Sequence, residues 1–210
     1  MVNAGTQAYE FVSSSSGKIT GSAKLTKSGA GTLTISLAND YSGGTEITAG
    51  TLIANAAGAL GSGNIIVSGG VLSATVIGSL GTGEVTLNNG TLQFIDGSLD
   101  SLSRVNVNSG IIKWDGVNTN DISGKLVITS GPGTTITFDI GANDVTFNTA
   151  KAATDVEYTK KGAGTLTLAQ TGALRGKLKI AEGSVYMDKG GGNGVVYGTI
   201  ESDNGGSLIT

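Results

Sequence analysis

Apolar and polar residues alternate along most of the chain in short bursts broken by Gly, Asn and Ser. Val85 and Leu87 form one such burst, and Leu92 and Phe94 the next. Alternation of this kind predicts strands. The bursts recur at a fixed interval. Gly50, Gly70, Gly90 and Gly110 follow one another at equal steps along the chain. Three positions before each stands Ile47, Val67, Leu87 or Val107, and two after comes Leu52, Leu72, Leu92 or Ile112. Four after come Ala54, Ala74, Phe94 and Trp114, while Leu60 and Leu80 hold a further shared phase. A fixed period with an apolar residue at each phase is the signature of a repeat architecture.

The breaks between bursts, Asn88-Asn89-Gly90 and Asn108-Ser109-Gly110, are built from residues that tolerate positive φ. A hairpin could use the same turn chemistry. The shared phase favours a different solution, in which each unit is one coil of a single-stranded parallel β-helix, a β-solenoid of about 20 residues per coil. Equal phases then stack at about 4.8 Å. Leu52, Leu72, Leu92 and Ile112 form one interior column, Val67, Leu87 and Val107 another, and Gly50, Gly70, Gly90 and Gly110 mark the corners. Three short strands per circuit and a right-handed winding are expected.

Residues 1–26, with Tyr9, Phe11, Val12, Ile19 and Leu25, read as a coil with a weaker column and a loop at Ser13–Gly17. The segment from Asp96 to Ser103 replaces the short ALGSG and SLGTG corners and is expected to protrude. Residues 116–150 keep the alternation but drift from the period, with Ile136, Phe138, Ile140, Val145 and Phe147 as a bulkier stack. Pro132 suits a turn there. An irregular hinge is expected near 150–157 within one continuous solenoid over 1–210. The opening motif then returns: TKKGAGTLTLA at 159–169 matches TKSGAGTLTIS at 26–36. Leu178, Ile180, Val185 and Met187 renew the column.

Composition narrows the reading. Gly is 36 of 210 residues and Pro is 1, which fits strict strand patterning and neither collagen nor a disordered linker. Aromatics at 5 % are thin for a globular core, but a narrow aliphatic stack needs few. With no Cys, stability must come from stacking and burial. A net charge of −3 gives no electrostatic footprint for nucleic acid. The first residues, MVNAGTQAYE, lack the basic and apolar regions of a signal peptide, and repeat-like sequence directly after Met1 suggests a piece of a longer chain.

The run from Leu25 to Ala74 resembles the passenger-associated transport repeat of bacterial autotransporter passengers. The residues that carry the likeness are Gly29, Gly31–Leu33, Tyr41–Thr45, Gly50–Leu52 and Ala59–Gly63. Residues 160–187 resemble it in part, with LRGK in place of the YSGGT turn. The resemblance implies a right-handed β-helix displayed on a bacterial cell surface. It also implies export within a longer chain that ends in a membrane barrel, whose alternating spans of about 10 residues are not found here.

Candidate chemistry is sparse. Without His or Cys there is no Ser-His-Asp triad, thiol nucleophile or ordinary zinc site. The carboxylates and cations that come nearest to a glycoside-cleaving cluster are Asp96, Asp100, Arg104, Lys113 and Asp115, which read more simply as a solvated acidic corner. Gly191–Val196 lacks the Asp of a calcium-binding GGxGxD repeat, and the DIGAND run with Asp139 and Asp144 reads as a loop. Gly192, Gly194 and Gly198 have the wrong spacing for a dinucleotide site. Trp114 shares the phase of Phe94 and reads as core. The pairs Thr32/Thr34 and Thr165/Thr167 point outward if Leu33 and Leu166 point inward, and no Thr ladder is expected to stack.

The reading is thus a non-enzymatic structural segment with no cofactor and no metal. About ten coils at about 4.8 Å would make a rod of roughly 50 Å, acting as stalk or adhesin scaffold and aiding export by coil-by-coil folding. Expected partners are neighbouring coils of the parent chain, its membrane barrel, and a host surface or extracellular matrix. Two alternatives stand beside it: a filament subunit that self-associates head to tail, and a β-helix that cleaves or binds glycans.

Overall fold

The computed structural model describes residues 1–12, 17–129, 131–151, 153–169, 174–188, 196–197, 199–203 and 205–209. Residues 13–16 of the expected Ser13–Gly17 loop and residues 191–195 of the Gly191–Val196 run lie outside the described residues, as does Gly198. The chain is a parallel β-solenoid of about 20 residues per coil. It divides into two compact units, Met1–Asn106 and Val107–Thr210.

In the first unit one ladder runs Val2–Asn3, Leu25–Ser28, Thr45–Ile47, Ile65–Val67 and Val85–Phe94. A second runs Tyr9–Phe11, Thr32–Ile35, Thr51–Ala54, Val71–Ala74 and again Val85–Phe94. Every one of these pairings is parallel. Ile47 pairs with Val67 and Val67 with Leu87, while Leu33, Leu52, Leu72 and Leu92 pair in succession. All are fully buried. Because same-phase residues sit one above another, each coil's interior is filled by the coils next to it.

In this unit the circuit has two strands and not three, whereas in the second unit Leu174–Arg175 pairs in parallel with Val196–Tyr197 as a third ladder. The third side of the first unit's circuit is made of turns, yet these stack with backbone bonds of their own. Gly58 N donates to Gly78 O (2.9 Å) and Leu60 N to Ser79 O (3.1 Å), so Leu60 and Leu80 reach the core without a strand. Small residues allow this: a Cβ on Gly81 would stand 1.8 Å from Gly61 O. The segment from Asp96 to Ser103 belongs to this side and does not protrude. Leu99 and Leu102 are buried, and Ser101 Oγ donates to Gly81 O (2.7 Å). The connection from Phe94 to Val105 is as long as that from Ala74 to Val85 and closes in the same kind of tight turns, with Leu102 N bonded to Leu99 O (3.1 Å).

The corner glycines are not equivalent. Gly50 (φ +68°) and Gly70 (φ +70°) turn the chain in the left-handed region. At the next corner the expected break closes into one strand, Val85–Phe94, because Asn89 takes the positive φ (+66°) instead. Gly90 serves space: its Cβ would lie 2.4 Å from Val67 Cγ1. The strand Val105–Trp114 likewise runs through its corner, with Gly110 at φ +128°.

In the second unit the ladder runs through Gly110–Lys113, Thr134–Asp139, Val156–Lys161, Lys177–Ile180 and Ile200–Ser202. Another runs Val145–Phe147, Thr165–Leu168, Gly183–Met187 and Gly206–Ile209. Ile112 pairs with Phe138 and is buried, as is Val107. Here the column turns aromatic. Trp114 packs edge-on against Phe138 (centroids 6.3 Å apart), and Phe138 stacks over Tyr158 (6.0 Å, 12°). Trp114 Nε1 donates to Asn120 O (3.0 Å), which satisfies its one polar atom inside the core. Near the expected hinge, Lys151 bridges in parallel to Leu174, and Asp155 holds φ +59°.

One further expectation is corrected. Tyr9 and Val12 are exposed, since among the described residues the Tyr9–Phe11 strand has a neighbour on one side only. The outer columns are mixed: Thr32 pairs with Thr51 but Thr34 with Ile53, Thr51 with Val71 and Thr165 with Ser184, so the Thr32/Thr34 and Thr165/Thr167 pairs build no Thr ladder.

An unpaired charge among these aliphatic columns is expected to be strongly destabilising while the outer face is permissive. Leu92→Asp should lower unfolding stability by at least about 4 kcal/mol, whereas Thr91→Ala should stay within about 0.5 kcal/mol, read from urea melts followed by far-UV circular dichroism.

Candidate functional site

The recurring motif places a lysine where sequence patterning expects an aliphatic. In the strand Leu25–Ser28 the alternation puts Lys27 inward, and in Val156–Lys161 it puts Lys160 inward. Both side chains are fully buried. Each follows the same rule: the stem lies in the stack and the ammonium reaches the corner, where backbone carbonyls converge. Lys27 Nζ donates to Ser28 O (3.0 Å), Gly29 O (2.7 Å) and Ala49 O (3.0 Å). Lys160 Nζ donates to Gly162 O, Gly164 O and Glu182 O (2.9 Å). Three donors meet three acceptors, so the charge is hydrogen-bonded throughout.

The glycines of the motif make room for this. Gly29 and Gly162 adopt φ +76° and +89°. A Cβ on Gly50 would stand 2.6 Å from Lys27 Nζ, and one on Gly183 would stand 2.5 Å from Lys160 Nζ. Gly31 and Gly164 lie so close to the preceding coil that a Cβ would fall 1.9 Å from Gln7 O or Asn143 O. Patterning showed the alternation but held no reason to look for a cation inside it; the inward phase of Lys27 and Lys160 was the available signal.

Burial pulls Lys27 below its ordinary value, and pulls Lys160 from 10.5 to about 8. For Lys160, the charges of Glu182, Asp139 and Asp144 act in the opposite direction. A third lysine, Lys151, is buried outside the motif and donates to Ser123 O and Leu126 O (3.0 Å). Burial lowers it too, against the pull of Asp121.

The YSGGT turn is also a structural device. Asn39 spans three coils: it accepts from Ile19 N (2.8 Å) and donates to Ala59 O (2.7 Å). Buried Tyr41 shares a 2.6 Å hydrogen bond with Thr45, and burial pushes its phenol up to about 12 although that bond acts the other way.

These repeated features coincide with a known family. The passenger-associated transport repeat matches residues 25–54 and 159–185, which contain both lysine cradles. The chain is similar to that repeat in these two segments. It is also similar to the adhesin BmaC autotransporter of Brucella suis biovar 1 (strain 1330), with 46 % identity over 50 residues. That stretch is 24 % of this chain and only 2 % of that relative. No solved structure matches.

Of the residues considered for catalysis, Arg104 is engaged in an ion pair, its Nε 3.1 Å from Glu84. Asp96 and Asp100 lie on the turn-built side, whereas Lys113 lies in the strand Val105–Trp114 and Asp115 directly after it. Asp144 accepts from Thr165 N (2.7 Å) and Asp139 from Gly141 N (3.3 Å), so the DIGAND carboxylates hold backbone. Among the described residues no three His, Cys, Asp or Glu side chains gather as a metal site. An open groove of about 760 Å³ in the second unit is lined by Thr134, Asp155, Glu157, Arg175 and Lys177. Its Lys177 is paired with Glu201 (3.0 Å), which raises the lysine above its ordinary value.

Removing either cradle cation leaves three carbonyls without their donor. Lys27→Met and Lys160→Met should each lower stability by about 2–4 kcal/mol in urea melts, although Met fits the stem. Lys160 also sets a pH dependence. Its folded value lies below the unfolded 10.5, so the unfolded chain binds this proton more tightly between about 8 and 10.5. Stability from this group therefore rises with pH across that window, as the buried charge is lost. The native chain should gain stability relative to Lys160→Met over that range.

Proposed function

We propose that this chain is a non-enzymatic segment of an exported bacterial surface protein, a passenger β-helix that serves as stalk or adhesin scaffold. One observation carries the reading: the two matched transport repeats are coils of a parallel solenoid whose buried motif lysines each bond a neighbouring coil. Asn39, Lys27, Lys160 and Asp144 each reach the coil before or after their own. Such residues hold height and register; none of these contacts is aimed at a ligand.

The mechanism is mechanical. Each coil buries its aliphatics against its neighbours, so stability grows by nearest-neighbour terms and folding can advance one coil at a time. A chain that folds this way after crossing a membrane is not held compact on the near side. The lack of Cys removes any disulfide that would hinder passage. In this reading residues 1–210 form one continuous solenoid, anchored through a membrane barrel elsewhere in the parent chain. It presents distal parts to a host surface or extracellular matrix.

Deleting residues 159–187 from the parent protein in its native bacterium tests the proposal. Loss of protease-accessible passenger at the cell surface, with the protein retained inside the envelope, is expected. Undiminished display of a folded, protease-resistant passenger would overturn the export role. For the scaffold role, the purified chain should appear in negative-stain micrographs as single short rods. Long uniform fibres would favour the head-to-tail assembly instead.

A further inference from the structure

The two lysine cradles do more than satisfy buried charge, and what they do stands whether or not the chain acts as a stalk. In each, the oxygens come from two successive coils. Gly29 O belongs to the corner that follows Lys27, and Ala49 O arrives with the next coil. Gly162 O and Glu182 O repeat that arrangement around Lys160. Converging backbone carbonyls with no side-chain acid among the direct acceptors are the ligand set used for dehydrated monovalent cations. The corner glycines keep the position open, since a Cβ at Gly50 or Gly183 would also fall 2.4 Å from Gly29 O or Gly162 O. The two pockets agree although they lie in separate units of the chain.

We propose that each transport repeat contains a monovalent-cation site built from the carbonyls of two successive coils, and that the repeat's own lysine ammonium is its tethered occupant. The lysine is then a coil-to-coil latch. Part of its ligand set exists as soon as its own corner forms, and the site is complete only when the following coil docks in register. Ammonium fits because it delivers one proton to each of three oxygens. Arginine would bring a planar fork into the same space, and methionine would bring no donor. A shortened side chain leaves a vacancy suited to free ammonium or potassium.

Chemical rescue decides the matter. Lys27→Ala and Lys160→Ala variants of the whole chain are melted in urea in ammonium, potassium, lithium and choline chlorides of equal ionic strength. The native chain should show the same midpoint in all of them. Each alanine variant should be shifted to higher urea by ammonium and potassium relative to choline. A salt concentration ten times the site's Kd should slow exchange of amides around Gly50 or Gly183 about tenfold, where local opening governs it. Lys160→Met, whose stem fills the vacancy, should stay indifferent to the cation. If an alanine variant is unfolded in choline but folds in ammonium, the site is supported. Midpoints that do not distinguish the salts, or a variant unfolded in all of them, would overturn it.

Discussion

In a parallel ladder every strand takes its hydrogen bonds from the strand one coil away, so each coil must come back at the same phase and height as the last. This closure condition governs both units. It explains the steady offset from Thr45 through Ile65 to Val85, and it explains why the interior is a set of single-file columns. A residue inserted anywhere in the circuit would turn every later side chain to the wrong face unless a turn absorbed it. The chain meets the condition mostly with glycine, and at Asn89 with a residue that tolerates positive φ.

Closure has an electrostatic consequence at the corners. Where the backbone bends sharply, its carbonyls leave the ladder and point toward each other inside the coil. Buried carbonyls of this sort need donors. The transport repeats supply them with Lys27 and Lys160, and the longer connection after Asp121 does so with Lys151. The same need is met elsewhere by Asn39 and Asn143, whose amides donate to Ala59 O and Gly116 O. Lys27, Lys160, Lys151, Asn39 and Asn143 are therefore corner pieces. Among the described residues, the two buried side-chain atoms without a partner are Ser79 Oγ and Tyr158 Oη.

The units close their coils by different means. In the first, small and aliphatic residues keep the coil narrow, and Ala54 and Ala74 share a phase with Phe94. In the second, Trp114, Phe138, Phe147 and Tyr158 pack against one another in the stack. The register offset varies in both units, being 25 between Val2 and Lys27, 26 between Gly110 and Ile136 and 20 between Glu157 and Lys177. The outer surface is free of the interior's packing constraint. It carries Thr, Ser and ion pairs such as Lys24–Glu46 and Lys179–Asp203, which link neighbouring coils at exposed positions and contribute little each.

The period, the parallel stacking and the inward phase were legible in the chain itself, because side-chain alternation and a fixed repeat leave few ways to bury Leu52, Leu72 and Leu92 together. So was the likeness of residues 26–36 to 159–169. What fills the corners emerged only in three dimensions. That Lys27 and Lys160 are buried cations, that Gly90 provides space while Asn89 provides the turn, and that Leu99 and Leu102 enter the core all depend on where carbonyls and Cα atoms of the next coil lie. Patterning records which face a residue takes along its own strand. It holds no record of which atoms of the adjoining coil will meet it there.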